Sequence, residues 1–170
     1  AASPMFCGTS YSLGLMGVFS DGTESALKAD SWSVSTPYVT FSEGSAGLQI
    51  ADETELVEGA EYEFTATYDG MSSSACMKYG RWVLEAGLEK MPAAEKDKFT
   101  YRMFLVMCDH SRIYVPFTCR YSSYQTGWQS VDTVSDAVSL WYYCSYVEAV
   151  SASSYYDWSG EFRQWEVRNH

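Results

Sequence analysis

Glu61-Tyr62-Glu63-Phe64-Thr65-Ala66-Thr67-Tyr68 alternates polar and apolar residues without a break. Tyr62, Phe64, Ala66 and Tyr68 fall on one face, and Glu61, Glu63, Thr65 and Thr67 on the other. A period of two is that of a half-buried antiparallel strand. Asp69-Gly70 follows, a dipeptide that accepts positive φ and closes tight hairpins. The same alternation runs outward from this segment. It recurs in Ser31-Trp32-Ser33-Val34-Ser35 up to Thr36-Pro37, in Val39 and Phe41 before Glu43-Gly44-Ser45, and in Leu48 and Ile50. Leu13, Leu15 and Phe19 predict an earlier strand closed by Asp21-Gly22. Turn signals thus recur about every 8–12 residues, the spacing of a β-sandwich or barrel. The fold class expected is all-β.

The second half continues this pattern with denser aromatics. Phe99 to Cys108 is apolar at nearly every position, which predicts a strand buried on both faces. Asp109-His110-Ser111-Arg112 reads as a hairpin loop. The predicted return strand puts Ile113, Val115, Phe117 and Cys119 on one face and Arg112, Thr118 and Arg120 on the other. Pro116 cannot donate to a ladder, so an edge strand is expected there. Leu140 to Val147 predicts another strand, containing Trp141, Tyr142 and Tyr143, and Phe162 to Val167 a last one. Glu85 to Lys98 is charged and contains Pro92-Ala93-Ala94-Glu95. It reads as a connection or inserted loop with one helical turn.

Length and charge bound the rest. The chain has 170 residues, 22 acids, 11 bases and a net charge of -11. That length suits one ordinary domain or two small ones. The acidic balance argues against a nucleic-acid partner, which needs a basic stripe. It also argues against an anionic membrane surface, and no run of about 18 apolar residues is present to insert into a bilayer. Residues 1–81 carry 11 acids, 3 bases and 10 aromatics; residues 82–170 carry 11 acids, 8 bases and 18 aromatics. Two domains, 1–80 and 81–170, are the simpler expectation, with one larger sandwich as the alternative.

The cysteines are Cys7, Cys76, Cys108, Cys119 and Cys144, with no Cys-x-x-Cys pair. A lipid-anchor role for Cys7 is disfavoured, because Ser3-Pro4-Met5-Phe6 lacks the small residues of a lipoprotein cleavage site. Cys108 and His110 are two apart, but zinc sites use paired, repeated spacings. Cys108 and Cys119 are expected to be buried small hydrophobes. No metal site and no cofactor are expected.

Three segments of the first half carry a family resemblance. They are Phe19-Ser20-Asp21-Gly22-Thr23-Glu24, Asp30-Ser31-Trp32-Ser33-Val34-Ser35-Thr36-Pro37-Tyr38-Val39, and Gly59 to Gly70 with its Phe64-Thr65-Ala66-Thr67-Tyr68-Asp69-Gly70. In this order they resemble the group-2 bacterial immunoglobulin-like ("Big") domains of invasin- and intimin-like proteins, over roughly residues 11–80. The resemblance implies an immunoglobulin-like β-sandwich in the first half, and the strand pattern of the second half predicts a second antiparallel, sandwich-like unit after it. It implies that Trp32 and Val34 fill the space between two sheets, and that Asp21-Gly22 and Asp69-Gly70 close hairpins. Two departures stand out. The family's first strand is unclear before Tyr11, leaving Met5 to Ser10 as its place, and Ser42 to Glu58 is longer and more acidic than the family's segment. The family shares no catalytic residues.

Few residues suggest chemistry. A Ser-His-Asp arrangement would have to use His110, which sits in a predicted turn. Asp52, Glu53, Glu55, Glu58, Glu61 and Glu63 form an acidic run. A solvated face is its expected role, since the Asp-x-Asp-x-Asp-Gly spacing of a calcium loop is absent. No catalytic residue is therefore expected. The aromatics of two Ser-containing loops are the candidate ligand-binding residues: Tyr121, Tyr124 and Trp128 in one, Tyr155, Tyr156 and Trp158 in the other. Tyr and Trp among Ser and Gly make adaptable contact surfaces. The competing expectation is that these rings fold back onto the end of the sandwich.

The expected function is a non-catalytic module, extracellular or at a cell or virion surface. It would act as a spacer or bind a protein or glycan through the aromatic loops. The alternative is a carbohydrate-binding module of a larger glycan-degrading enzyme. Fold analogy alone does not decide between them.

Overall fold

Alternation sets the architecture, and the computed structural model describes it for residues 4–7, 13–41, 48–50 and 55–169. All described elements are strands and turns; no α-helix occurs among these residues. The chain divides into two compact units, residues 1–81 and 82–170.

The first unit contains β1 (Met5–Phe6), β2 (Leu15–Val18), β3 (Glu24–Leu27), β4 (Ser31–Val34), β5 (Val39–Phe41), β6 (Leu48–Ile50), β7 (Glu61–Tyr68) and β8 (Met71–Tyr79). One sheet has the order β1-β8-β7-β4, and the pairs β2-β3 and β5-β6 complete the unit. β7 sits centrally, paired with β4 through Trp32↔Ala66 and with β8 through Phe64↔Ala75. Its apolar face buries Phe64 and Ala66. Phe64 joins Phe6, Val39, Leu56 and Met77 in the core, and burying one such ring contributes about 2–3 kcal/mol. The other face is polar, and Thr65 and Ser74 share a hydroxyl hydrogen bond of 2.7 Å. Asp69 and Gly70 both take positive φ, 47° and 74°. This is the type I′ hairpin geometry that two-residue turns favour. The Asp30 carboxylate accepts from the Asp69 N–H at 2.8 Å and fixes the turn.

Several details of the first unit differ from the sequence expectation. The early strand is Leu15–Val18, and Phe19 lies beyond it, about half exposed, at the turn where Gly22 N–H bonds Phe19 C=O. Trp32 is only half-buried and stacks on Phe41 at 5.8 Å. A first strand forms at Met5–Phe6, parallel to β8. Residues 8–10 of the expected first-strand region, the turn Glu43-Gly44-Ser45, and Asp52 and Glu53 lie outside the described residues.

The second unit contains β9 (Val83–Pro92), β10 (Lys98–Met107), β11 (Arg112–Val115), β12 (Phe117–Ser123), β13 (Gly127–Ser135), β14 (Val138–Trp141), β15 (Cys144–Ser151), β16 (Tyr155–Tyr156), β17 (Phe162–Arg163) and β18 (Glu166–Asn169). In one sheet β10 pairs with β9, β11 and β14; a second sheet has the order β13-β12-β15-β18. Met103, Leu105, Val115, Phe117, Val147 and Ala149 form the centre of the core.

Five expectations are corrected here. Glu85 to Lys98 is not an inserted loop: Val83–Pro92 is a full strand, with register Phe104↔Gly87 and Arg102↔Glu89. Glu85 and Lys90 are exposed and Glu89 is half-buried, and Gly87 leaves room for the Phe104 ring, whose Cζ would be 2.3 Å from an added Cβ. β10 is not buried on both faces. Tyr101, Met103, Leu105 and Met107 are buried, while Arg102, Phe104 and Val106 are half-buried between them. The return strand from Arg112 splits at Pro116 into β11 and β12, which belong to different sheets. Pro116 has no N–H to offer either ladder. Leu140 to Val147 is likewise two strands in two sheets, separated by a turn at Tyr142 and Tyr143. Phe162 to Val167 is interrupted as well, giving β17 and β18.

Cysteine states follow from these positions. Cys7 and Cys108 are disulfide-bonded; Cys108 is buried, as expected, but is not a free thiol. Cys76 is a free, exposed thiol, and Cys119 and Cys144 are free and buried. Burial pushes the Cys119 pKa up to about 11, and desolvation raises Cys144 as well. Thiolate is the reactive form. A thiol reagent should therefore label one cysteine quickly in the native chain and three after denaturation without reductant. Five labels without reductant, or one in the denatured chain, would contradict this assignment.

Candidate functional site

The sheet register decides whether the six candidate aromatics make one surface. β12 and β15 are antiparallel, with Ser123↔Cys144 at one end and Phe117↔Ser151 at the other. From Phe117 to Ser123 the strand spans about 20 Å. Tyr124 follows Ser123, whereas Tyr155, Tyr156 and Trp158 follow Ser151. The two groups therefore leave the sheet at opposite ends and do not converge.

The group after Ser151 is tightly structured. Tyr155 packs against the core, and Tyr156 stacks on Phe162 at 4.0 Å through the β16-β17 pairing. Asp157 is buried. Its carboxylate accepts from Ser159 N–H at 2.9 Å, Ser159 O–H at 2.5 Å and Glu161 N–H at 3.2 Å, and it pairs with Arg163. Trp158 is the exception, at 62% exposed. Aspartate earns this place because its short side chain can bridge the backbone of a tight turn.

The opposite end gathers the freer rings. Tyr121 is on β12 and packs against the core. Burial raises its pKa, aided by Cys144, Cys119 and Tyr143. Tyr124 is 97% exposed in the β12–β13 turn, and Trp128 on β13 is 52% exposed. Since Ser123 pairs with Cys144, the Tyr142-Tyr143 turn lies at this same end. Tyr142 is 64% exposed, and Trp141 and Tyr143 stack at 6.1 Å with rings 5° from parallel. Trp141 and Tyr142 were not among the sequence candidates, because a single strand through Trp141, Tyr142 and Tyr143 puts at least one face of them in the core.

A β-bulge adds one more ring. Between Arg120↔Glu148 and Ser122↔Ser145 the β15 strand has an extra residue. Tyr146 has φ 50° there, and Ser145 and Tyr146 are both exposed before Val147 returns to the core. Bulges re-aim side chains in this way.

The outward face of this sheet continues into a polar depression of ≈ 300 Å³. One row crosses all four strands in register: Ser130, Arg120, Glu148 and Arg168. Arg120 Nε lies 2.5 Å and Arg168 Nε 3.7 Å from the two oxygens of Glu148. Asp132 and Glu166 line the same depression. The next row is Trp128–Ser122–Ser145, and the Arg120 guanidinium lies 4.9 Å from the Trp128 ring centroid. This arrangement offers hydrogen-bond donors, acceptors and a flat ring on one sheet face.

His110 takes φ 64° in the exposed β10–β11 turn, and its N–H bonds Met107 C=O. His170 lies outside the described residues. Among the described residues no group of three metal-ligating side chains occurs.

Asp157 supplies a stability test. Desolvation opposes its charge, but the Ser159 and Glu161 donors and Arg163 outweigh it and hold the pKa below 3.8. A depressed carboxylate contributes fully above its unfolded value and loses that contribution as pH falls through the folded one. Asp157→Asn should cost about 1–3 kcal/mol at pH 7 and flatten the fall in stability below about pH 4. Urea unfolding across pH measures both, and an unchanged midpoint at pH 7 would contradict the assigned role. No known protein family and no curated protein matches this chain.

Proposed function

We propose that this chain is a non-catalytic, extracellular interaction module. The second unit makes the contact. The acidic first unit, in its likeness to a Big-type immunoglobulin-like domain, supports and solubilises it. One observation carries this reading: Tyr124, Trp128, Trp141 and Tyr142 stand exposed together at one end of the second unit. Large aromatics are costly to leave in water and are enriched at binding hot spots. The disulfide-bonded state of Cys7 and Cys108 supports an oxidising compartment. The net charge of -11 supports a protein or glycan partner over nucleic acid.

The test is an array of extracellular-matrix proteins and glycans probed with the full chain. At least one class should be retained. A Tyr124→Ala/Tyr142→Ala variant should lose about tenfold or more of that affinity with its melting temperature unchanged. Trp158→Ala, at the other end of the sheet, should bind as the parent does. Retention of nothing, or equal retention by the double variant, would overturn the proposal.

A further inference from the structure

We infer that the outward face of the β13-β12-β15-β18 sheet is a binding site for a neutral glycan. The inference rests on the interaction-module reading and assigns its ligand class. It stands on three independent features of one surface.

The first is shape. The depression of ≈ 300 Å³ lies along a sheet face rather than in a closed core. It is a trough across four strands, suited to an extended chain of rings. The second is the set of polar groups. Arg120 and Arg168 donate, Asp132, Glu148 and Glu166 accept, and Ser130 can do both. Sugar hydroxyls also donate and accept, so they can insert into such a network without leaving a charge unpaired. Arg120 and Glu148 already hold each other, and Arg168 adds a second donor to Glu148. The side chains are thus fixed before a ligand arrives, which lowers the entropic cost of binding.

The third feature is the ring beside the trough. Trp128 is two residues from Ser130 on β13 and faces the same way. Its indole is half exposed, with Arg120 over it. A flat indole face matches the C–H face of a pyranose, while the neighbouring row takes the hydroxyls. Charge selects the class. Three acids and two arginines line the trough. A uronic-acid or sulfated chain would meet a surplus of carboxylates, and a neutral chain would not.

The other sheet of the second unit shows what an occupied face looks like. Arg102 lies 3.6 Å from the Tyr114 ring centroid and Arg112 3.8 Å from Phe104. Tyr114 O–H also bonds Glu89 at 2.9 Å. Those groups satisfy one another across the strands.

Isothermal titration of the full chain with cellohexaose, xylohexaose, mannohexaose and hexagalacturonate tests the inference. At least one neutral hexasaccharide should bind with Kd below about 1 mM, and hexagalacturonate should bind at least about tenfold more weakly. Trp128→Ala should weaken neutral binding about tenfold or more, and Asp132→Ala several-fold, with Trp128→Phe recovering part of the loss. Trp158→Ala should leave it unchanged. Binding of a neutral hexasaccharide that survives both Trp128→Ala and Asp132→Ala would overturn the site. Binding of hexagalacturonate alone would overturn the class. Absence of all binding, while matrix proteins are retained through Tyr124 and Tyr142, would overturn the glycan inference and leave the interaction module standing.

Discussion

Pro116 lacks the one group a central strand position requires, and the second unit is organised around that lack. A residue without an N–H is tolerated at a strand end or edge but interrupts a ladder in the middle of a sheet. The chain therefore leaves the sheet of β10 after Val115 and enters the other sheet at Phe117. The alternation survives the crossing, because Val115 and Phe117 are both buried in the same core. What changes is the outward side. Tyr114 faces out from one sheet, while Thr118, Arg120 and Ser122 face out from the other. The polar trough and the row carrying Trp128 exist because β12 sits between β13 and β15 rather than extending β11.

The charge asymmetry of the sequence acquires a physical meaning in this frame. In the first unit, Glu61, Glu63 and Glu58 are exposed and keep their surroundings acidic. In the second, the arginines are spent on specific partners: Arg102 and Arg112 on rings, Arg120 and Arg168 on Glu148, and Arg163 on Asp157. Exposed ion pairs add little stability singly. Their larger effect here is to hold long side chains in fixed places on a sheet face, which is what a recognition surface needs.

Local chemistry was legible where one residue type has one use. The β7 alternation and the Asp69-Gly70 turn could be read directly, because both are properties of consecutive residues. Pairing across the sequence could not. Val83–Pro92 looked like a loop because its charges and Gly87 hide a strand whose partner lies beyond the next turn. Leu140 to Val147 looked like one strand because the sheet change between β14 and β15 has no proline or glycine to announce it. The six candidate aromatics illustrate the same limit. Composition put Tyr124 and Trp158 in one class, while strand direction puts them at opposite ends of the sheet. Asp157 made the second loop a fixed hairpin, and the Tyr146 bulge made a ring available that periodicity assigns to neither face.

The central claim is that the contact surface lies on the outward face of β12 and β13, at Trp128, and not in the Trp158 loop. The chain has six tryptophans, so its indole N–H groups give six separable reporters. A ¹⁵N–¹H titration with the tightest-binding neutral hexasaccharide reads them together. The account predicts that the Trp128 indole signal moves in a saturable manner while the Trp158 signal stays in place. Movement of Trp158 with Trp128 unchanged, or movement of neither, would contradict it.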